Sequence, residues 1–170
     1  VGGTQMTKRG LQIGLEALGV PLARTPVGDR YVMQEMLKRG WSLGGESSGH
    51  VICLDLSSTG DGIISALQAL AAVVHAEKPL AELRSEMTKL PQEMINVRVS
   101  RGVELVGNAA IASAVQEVEA ELGQRGRVLL RPSGTEPVLR VMVEGEDAAD
   151  VARLAAQLAE AVRTEVGAAR

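Results

Sequence analysis

Apolar positions recur in two periods along this chain, and the switches between them divide it. From Lys8 to Leu18, the residues Leu11, Leu15 and Leu18 fall on one stripe and predict a helix, with Gly19 placed as its stop. Val1 to Thr4 ahead of it reads as the tail of a strand, and Val20 to Arg24 as a short strand. Val27-Gly28-Asp29-Arg30 forms a turn into a second helix, Tyr31 to Arg39, ended again by a glycine, Gly40. Trp41 to Gly45 and His50 to Leu54 predict strands around the polar loop Glu46-Ser47-Ser48-Gly49. A turn rich in capping residues, Ser57 to Gly62, opens a long helix from Ile63 to about Glu77, with Asp61 as its N-cap. This alternation predicts an α/β layer with parallel elements.

Lys78-Pro79 breaks the pattern. A short helix from Leu80 to Met87 follows, and Leu90-Pro91 ends it, so a domain boundary is expected within residues 79 to 91. Beyond it the pattern predicts a strand (Glu93 to Ser100), a turn at Arg101-Gly102 and a helix from about Asn108 to Leu122. Two further strands are Val128 to Arg131 and Val138 to Glu144. In the second, Leu139, Val141 and Val143 share one face, and Arg140, Met142 and Glu144 the other. The last element, Asp147 to Thr164, is an Ala-rich amphipathic helix with Val151, Leu154, Leu158 and Val162 on its stripe.

A length of 170 residues fits one large or two small domains, and an apolar fraction of 45% is that of a globular core. With no Phe, one Trp and one Tyr, the core must be aliphatic, and few side chains could stack on bases. A net charge of −3 without a basic run disfavours nucleic acid as a partner. No run approaches the length of a membrane span, and no signal peptide is visible. The single cysteine, Cys53, lies in an apolar run and reads as a buried small hydrophobe. One cysteine excludes an internal disulfide, which agrees with a reducing, cytoplasmic location. His75 reads as a surface residue. Because the first residue is Val, the chain is expected to start inside a longer protein.

Two loops carry candidate chemistry. Ser133-Gly134-Thr135 lies between the last two strands, bracketed by Pro132 and Pro137, with Arg131 and Arg140 at the flanking strand ends. Hydroxyls and converging backbone N–H groups suit an anion, and a guanidinium matches two phosphate oxygens at once. A hairpin loop with two solvated arginines accounts for the same composition equally well. Gly45-Glu46-Ser47-Ser48-Gly49-His50 is the second loop. Its carboxylate can accept hydrogen bonds from neighbouring sugar hydroxyls and its serine can donate, although a polar hairpin loop would look the same.

Arg131-Pro-Ser-Gly-Thr-Glu-Pro137 followed by Arg140-Val-Met-Val-Glu144 resembles the phosphate-binding loop of the α-D-phosphohexomutases. Gly-Glu-x-Ser-Gly-His at 45–50 resembles that family's sugar-specificity loop, and Thr25 to Val32 its third-domain loop. The resemblance covers nearly the whole chain. It implies a partial three-layer α/β domain (1–80), a linker (81–91) and a small α+β domain (92–170) with a mostly antiparallel sheet and two helices.

By the same resemblance, Arg131, Ser133, Gly134, Thr135 and Arg140 would bind phosphate. Glu46 and Ser48, with Gly28, Asp29 and Arg30, would face the sugar, and His50 would stand close to the reacting group. The wording is closest to the branch that interconverts glucosamine 6-phosphate and glucosamine 1-phosphate through a phosphoserine. A mannose or glucose phosphate branch, or a non-catalytic phosphosugar-binding module, is the alternative. The family's phosphoserine loop and its Asp-x-Asp-x-Asp magnesium segment are absent from these 170 residues. Magnesium would therefore be held by the missing N-terminal domains, and the chain alone is expected to be inactive. An incomplete first sheet would leave an edge open, so self-association is expected.

Overall fold

The computed structural model describes residues 1–99, 107–134 and 136–168, in two compact units, Val1–Lys89 and Leu90–Arg170. In the first unit, strands β1 (Gly2–Thr4), β2 (Ala23–Thr25), β3 (Leu43–Gly45) and β4 (Val51–Cys53) form a sheet in the order β2-β1-β3-β4. β1 runs parallel to β2 and β3, whereas β4 is antiparallel to β3. The sheet is therefore mixed, not wholly parallel. Residues 46–50 are too few for a crossover connection, so they close a hairpin. The expected strand at Val20 to Arg24 is shifted to Ala23–Thr25, and the strands around the polar loop are shorter than their apolar runs.

Helices α1 (Arg9–Ala17), α2 (Asp29–Arg39), α3 (Gly62–Ala76) and α4 (Leu80–Ser85) complete this unit. α2 ends on Gly40, whose left-handed φ of 65° stops the helix there. Its Val32 and Met36 are fully buried beside Ile52. Two glycines paired across β1 and β3 make the room. A Cβ on Gly2 would stand 2.8 Å from Met36 Cγ, and one on Gly44 2.9 Å from Val32 Cγ1. Full burial of each of these side chains contributes roughly 1.5–3 kcal/mol.

The stripe expected on α1 is not a core stripe. Leu18 is 77% exposed, while Leu11 and Leu15 line an open, mostly apolar cavity of about 440 Å³. Cys53 is half-buried on the edge strand β4 rather than enclosed. α3 starts as expected: Asp61 Oδ1 accepts from the N–H groups of Ile63 and Ile64, both at 2.9 Å. No residue of α3 is buried, and Ile63, Leu67, Leu70 and Val74 are all exposed.

The second unit contains β5 (Gln92–Arg98), α5 (Ala109–Leu122), a 3-10 turn (Gly123–Arg125), β6 (Gly126–Pro132), β7 (Val138–Gly145) and α6 (Ala148–Ala168). The sheet order is β5-β7-β6, antiparallel throughout. Leu139, Val141 and Val143 point into one core with Ile111, Val118 and Leu122 of α5 and the Val151, Leu154, Leu158, Val162 stripe of α6. Asn108 caps α5 through Oδ1, which accepts from Ile111 N–H at 3.0 Å, and its Nδ2 donates to Glu165 of α6 at 2.9 Å. The expected turn at Arg101-Gly102 lies outside the described residues.

Met142 and Glu144, on the other face of β7, are buried as well. Glu144 Oε2 accepts from Arg127 Nε at 2.7 Å, which supplies a counter-charge for a carboxylate with no solvent exposure.

Candidate functional site

The anion loop is positioned by the β6–β7 hairpin. Strand register pairs Arg131 directly with Arg140, and alternation places both on the face away from the helices. Each guanidinium has a buried Nε with no hydrogen-bond partner. Arg140 reaches the loop through one terminal nitrogen, 3.5 Å from Ser133 Oγ, and stands 3.8 Å from the exposed Glu136 carboxylate. Ser133 is held by its own N–H, which donates to Val138 O at 2.9 Å, and its Oγ accepts from Glu136 N–H at 3.4 Å.

A Cβ built on Gly134 meets nothing within 4 Å. The described neighbours therefore do not demand a glycine there. Thr135 lies outside the described residues. Two cations stand opposite one another, each with a buried donor that has no protein partner, and such donors suit an anion.

Sequence reasoning passed over Asn96, which the register of β5 places on the other side of Arg140, so that Asn96, Arg140 and Arg131 form one row across three strands. The only local signal was an amide in the apolar run Met94 to Val97. Its pairing with β7 spans more than forty residues of sequence.

In the first unit the loop at 46–49 closes the β3–β4 hairpin: Glu46 N–H donates to His50 O at 2.9 Å and Gly49 N–H to Glu46 O at 3.1 Å. Ser47 Oγ ties the loop to Met6 O at 2.9 Å. Glu46, Ser47 and His50 border the apolar cavity, whereas Ser48 does not line it. The turn before α2 comes to the same place. Asp29 Oδ2 lies 3.3 Å from His50 Nδ1, with Ser48 Oγ 3.5 Å from that same nitrogen.

Gly28, the N-cap of α2 directly before Asp29, takes φ 135°, a backbone that L side chains rarely adopt. Arg30 does not join the cluster; it lies over the ring of its neighbour Tyr31, 4.5 Å from the centroid. Gly60, in a segment read from sequence as capping only, approaches the pair closely. A Cβ there would stand 3.8 Å from both Asp29 Oδ2 and His50 Cβ.

Among the described residues, no three His, Cys, Asp or Glu side chains are grouped so as to hold a metal ion. The described residues do not fit magnesium. No helix among the described residues is long and apolar enough to cross a membrane.

Residues 1–90 match a family model described as phosphoglucomutase/phosphomannomutase, alpha/beta/alpha domain III, and residues 94–161 match that of the C-terminal domain of the same family. The chain belongs to the phosphoglucomutase/phosphomannomutase family. Among curated relatives, it is 57% identical over 162 residues to the phosphoglucosamine mutase of Halorhodospira halophila, covering 95% of this chain and 36% of the relative. It is 56% identical over 165 residues to that of Nitrosococcus oceani, covering 97% and 37%. The chain thus spans little more than a third of the length of these relatives.

A crystal structure of Aspergillus fumigatus N-acetylphosphoglucosamine mutase, in complex with GlcNAc-6P and magnesium, shares the fold. Its TM-score is 0.81 at 19% identity, over 95% of this chain and 40% of the other.

Proposed function

We propose that this chain is the substrate-recognition part of a phosphoglucosamine mutase, an intramolecular phosphotransferase that interconverts glucosamine 6-phosphate and glucosamine 1-phosphate. In this reading Arg131, Ser133, Gly134, Thr135 and Arg140 grip the phosphate. Glu46 and Ser48 meet sugar hydroxyls, with Gly28, Asp29 and Arg30 beside them, and His50 stands at the reacting sugar. Its ligand is a hexosamine phosphate. The phosphoserine and the magnesium ligands belong to segments outside these residues, and the metal there would neutralise charge on the phosphoryl group in flight.

The observation that carries the reading is the Arg131–Arg140 pair, with two buried donors unused and Ser133 beside them. The relatives' description as phosphoglucosamine mutases supports the amino sugar over a mannose or glucose phosphate.

Titration of phosphate into the chain, followed by backbone amide NMR, tests it. The amides from Ser133 to Thr135 should shift. Arg131→Ala and Arg140→Ala should each weaken binding by about 1.5–3 kcal/mol, the worth of hydrogen bonds to a charged group. Unmoved amides in the parent, or variants whose amides shift as much as the parent's at the same phosphate concentration, would leave only a polar hairpin.

A further inference from the structure

We propose that Asp29 is a positioning residue for His50. Its carboxylate takes the hydrogen of Nδ1, holds the imidazole in the Nδ1–H tautomer and leaves Nε2 as a free acceptor.

Both neighbours of the ring approach the same nitrogen: Asp29 Oδ2 at 3.3 Å and Ser48 Oγ at 3.5 Å. An ionised carboxylate can only accept, so Nδ1 must donate toward it; a serine hydroxyl can take either role and imposes neither. A second ring nitrogen freed in this way is the usual result of tying the first to a carboxylate. The carboxylate starts from a defined backbone. It sits on the first residue of α2, after a glycine with φ 135°, and its Oδ1 is buried without a partner. Gly60 lies beside the pair: a Cβ there would be in ordinary contact with Asp29 Oδ2 and His50 Cβ, each at 3.8 Å.

The turn before α2 and the loop that precedes β4 therefore meet at one ring nitrogen of a histidine whose side chain is still 62% exposed. That combination suits a histidine that presents a fixed face outward. It assigns Asp29 to the histidine rather than to the sugar. Its meaning for turnover rests on the phosphosugar reading, in which Nε2 would accept a hydrogen bond from a substrate hydroxyl.

The 170-residue chain holds two histidines, so nitrogen NMR of their rings is readily assigned. His75, exposed on α3, is the reference within the same molecule. At a pH where the rings are neutral, His50 should show a pyrrole-type Nδ1 and a pyridine-type Nε2, with His75 favouring the opposite form. Asp29→Ala should change the tautomer ratio of His50 about tenfold or more, the worth of a hydrogen bond to a charged acceptor. The isosteric Asp29→Asn should shift it in the same direction by less, and Ser48→Ala should leave it unchanged. A pyridine-type Nδ1 in the parent overturns the proposal without any variant. So does a ratio unmoved in Asp29→Asn, or one that moves in Ser48→Ala. The readout needs no ligand, so it stands or falls apart from the phosphate titration.

Discussion

Arg131 and Arg140 face one another as a registered pair across β6 and β7, two like charges on the same side of a hairpin. Like charges directly opposite are destabilising by a few tenths to one kcal/mol in a sheet. In the proposed phosphate site, an anion between them would turn repulsion into two charge-assisted contacts.

Arg131→Leu is therefore expected to raise the stability of the ligand-free chain by about 0.2–1 kcal/mol. Phosphate at a hundred times its dissociation constant should stabilise the parent by about 2.7 kcal/mol and the variant far less. Urea unfolding with and without phosphate checks both. A variant less stable than the parent in the absence of phosphate contradicts the repulsion argument.

Arg127→Ala should cost about 1.5–3 kcal/mol, because it removes a 2.7 Å charged hydrogen bond from a carboxylate with no exposure. Arg127→Lys should recover part of that loss. Chemical denaturation followed by circular dichroism gives the ranking, and equal stability of the parent and Arg127→Ala is the contrary result.

Gly44→Ala should destabilise the first unit by about 1–3 kcal/mol, since the new methyl would stand 2.9 Å from Val32 Cγ1 in a closely packed seam. Gly134→Ala, with nothing within 4 Å, should be nearly neutral in the ligand-free chain. Amide exchange read by unit should localise the first loss to residues 1–89. Equal losses in the two variants would mean that the seam relaxes around the methyl.

The exposed apolar residues of α3, Leu67, Leu70 and Val74, lead us to expect self-association. Sedimentation should show a mass that rises with concentration in the parent and falls back in Leu67→Lys/Leu70→Lys. A parent that stays monomeric at high concentration contradicts this.

The chain alone should not interconvert hexosamine phosphates, even with magnesium and a bisphosphorylated activator, because its sequence holds neither the phosphoserine loop nor the Asp-x-Asp-x-Asp segment. Coupled assay of glucosamine 1-phosphate formation decides it, and measurable turnover would falsify the assignment of roles.

What could be read from sequence follows the range of the interactions. The faces of β7, the cap at Asp61 and the stripe of α6 are set by neighbours within a few positions, and all stand where period and capping chemistry put them. The row that joins Asn96 to the arginines depends on pairing with a distant strand, and no local pattern encodes it. The α1 stripe misleads for a related reason: a period shows which residues share a face, but not whether anything covers it. The β3–β4 hairpin was legible, since its short loop alone requires antiparallel neighbours. Asp29 beside His50 was not legible, because a turn and a strand end meet only once α2 has docked on the sheet.

The anion loop and the histidine pair differ in how much chain must be ordered before each exists. Arg131 and Arg140 are brought together by one hairpin, whereas Asp29 and His50 are joined by a segment that includes all of α2 and β3. Closing the longer loop costs more entropy and relies on the docked helix. Under rising denaturant the histidine pair should therefore come apart early, while the hairpin still holds its two arginines in register. Under the proposed function, phosphate affinity would then outlast the fixed orientation of His50.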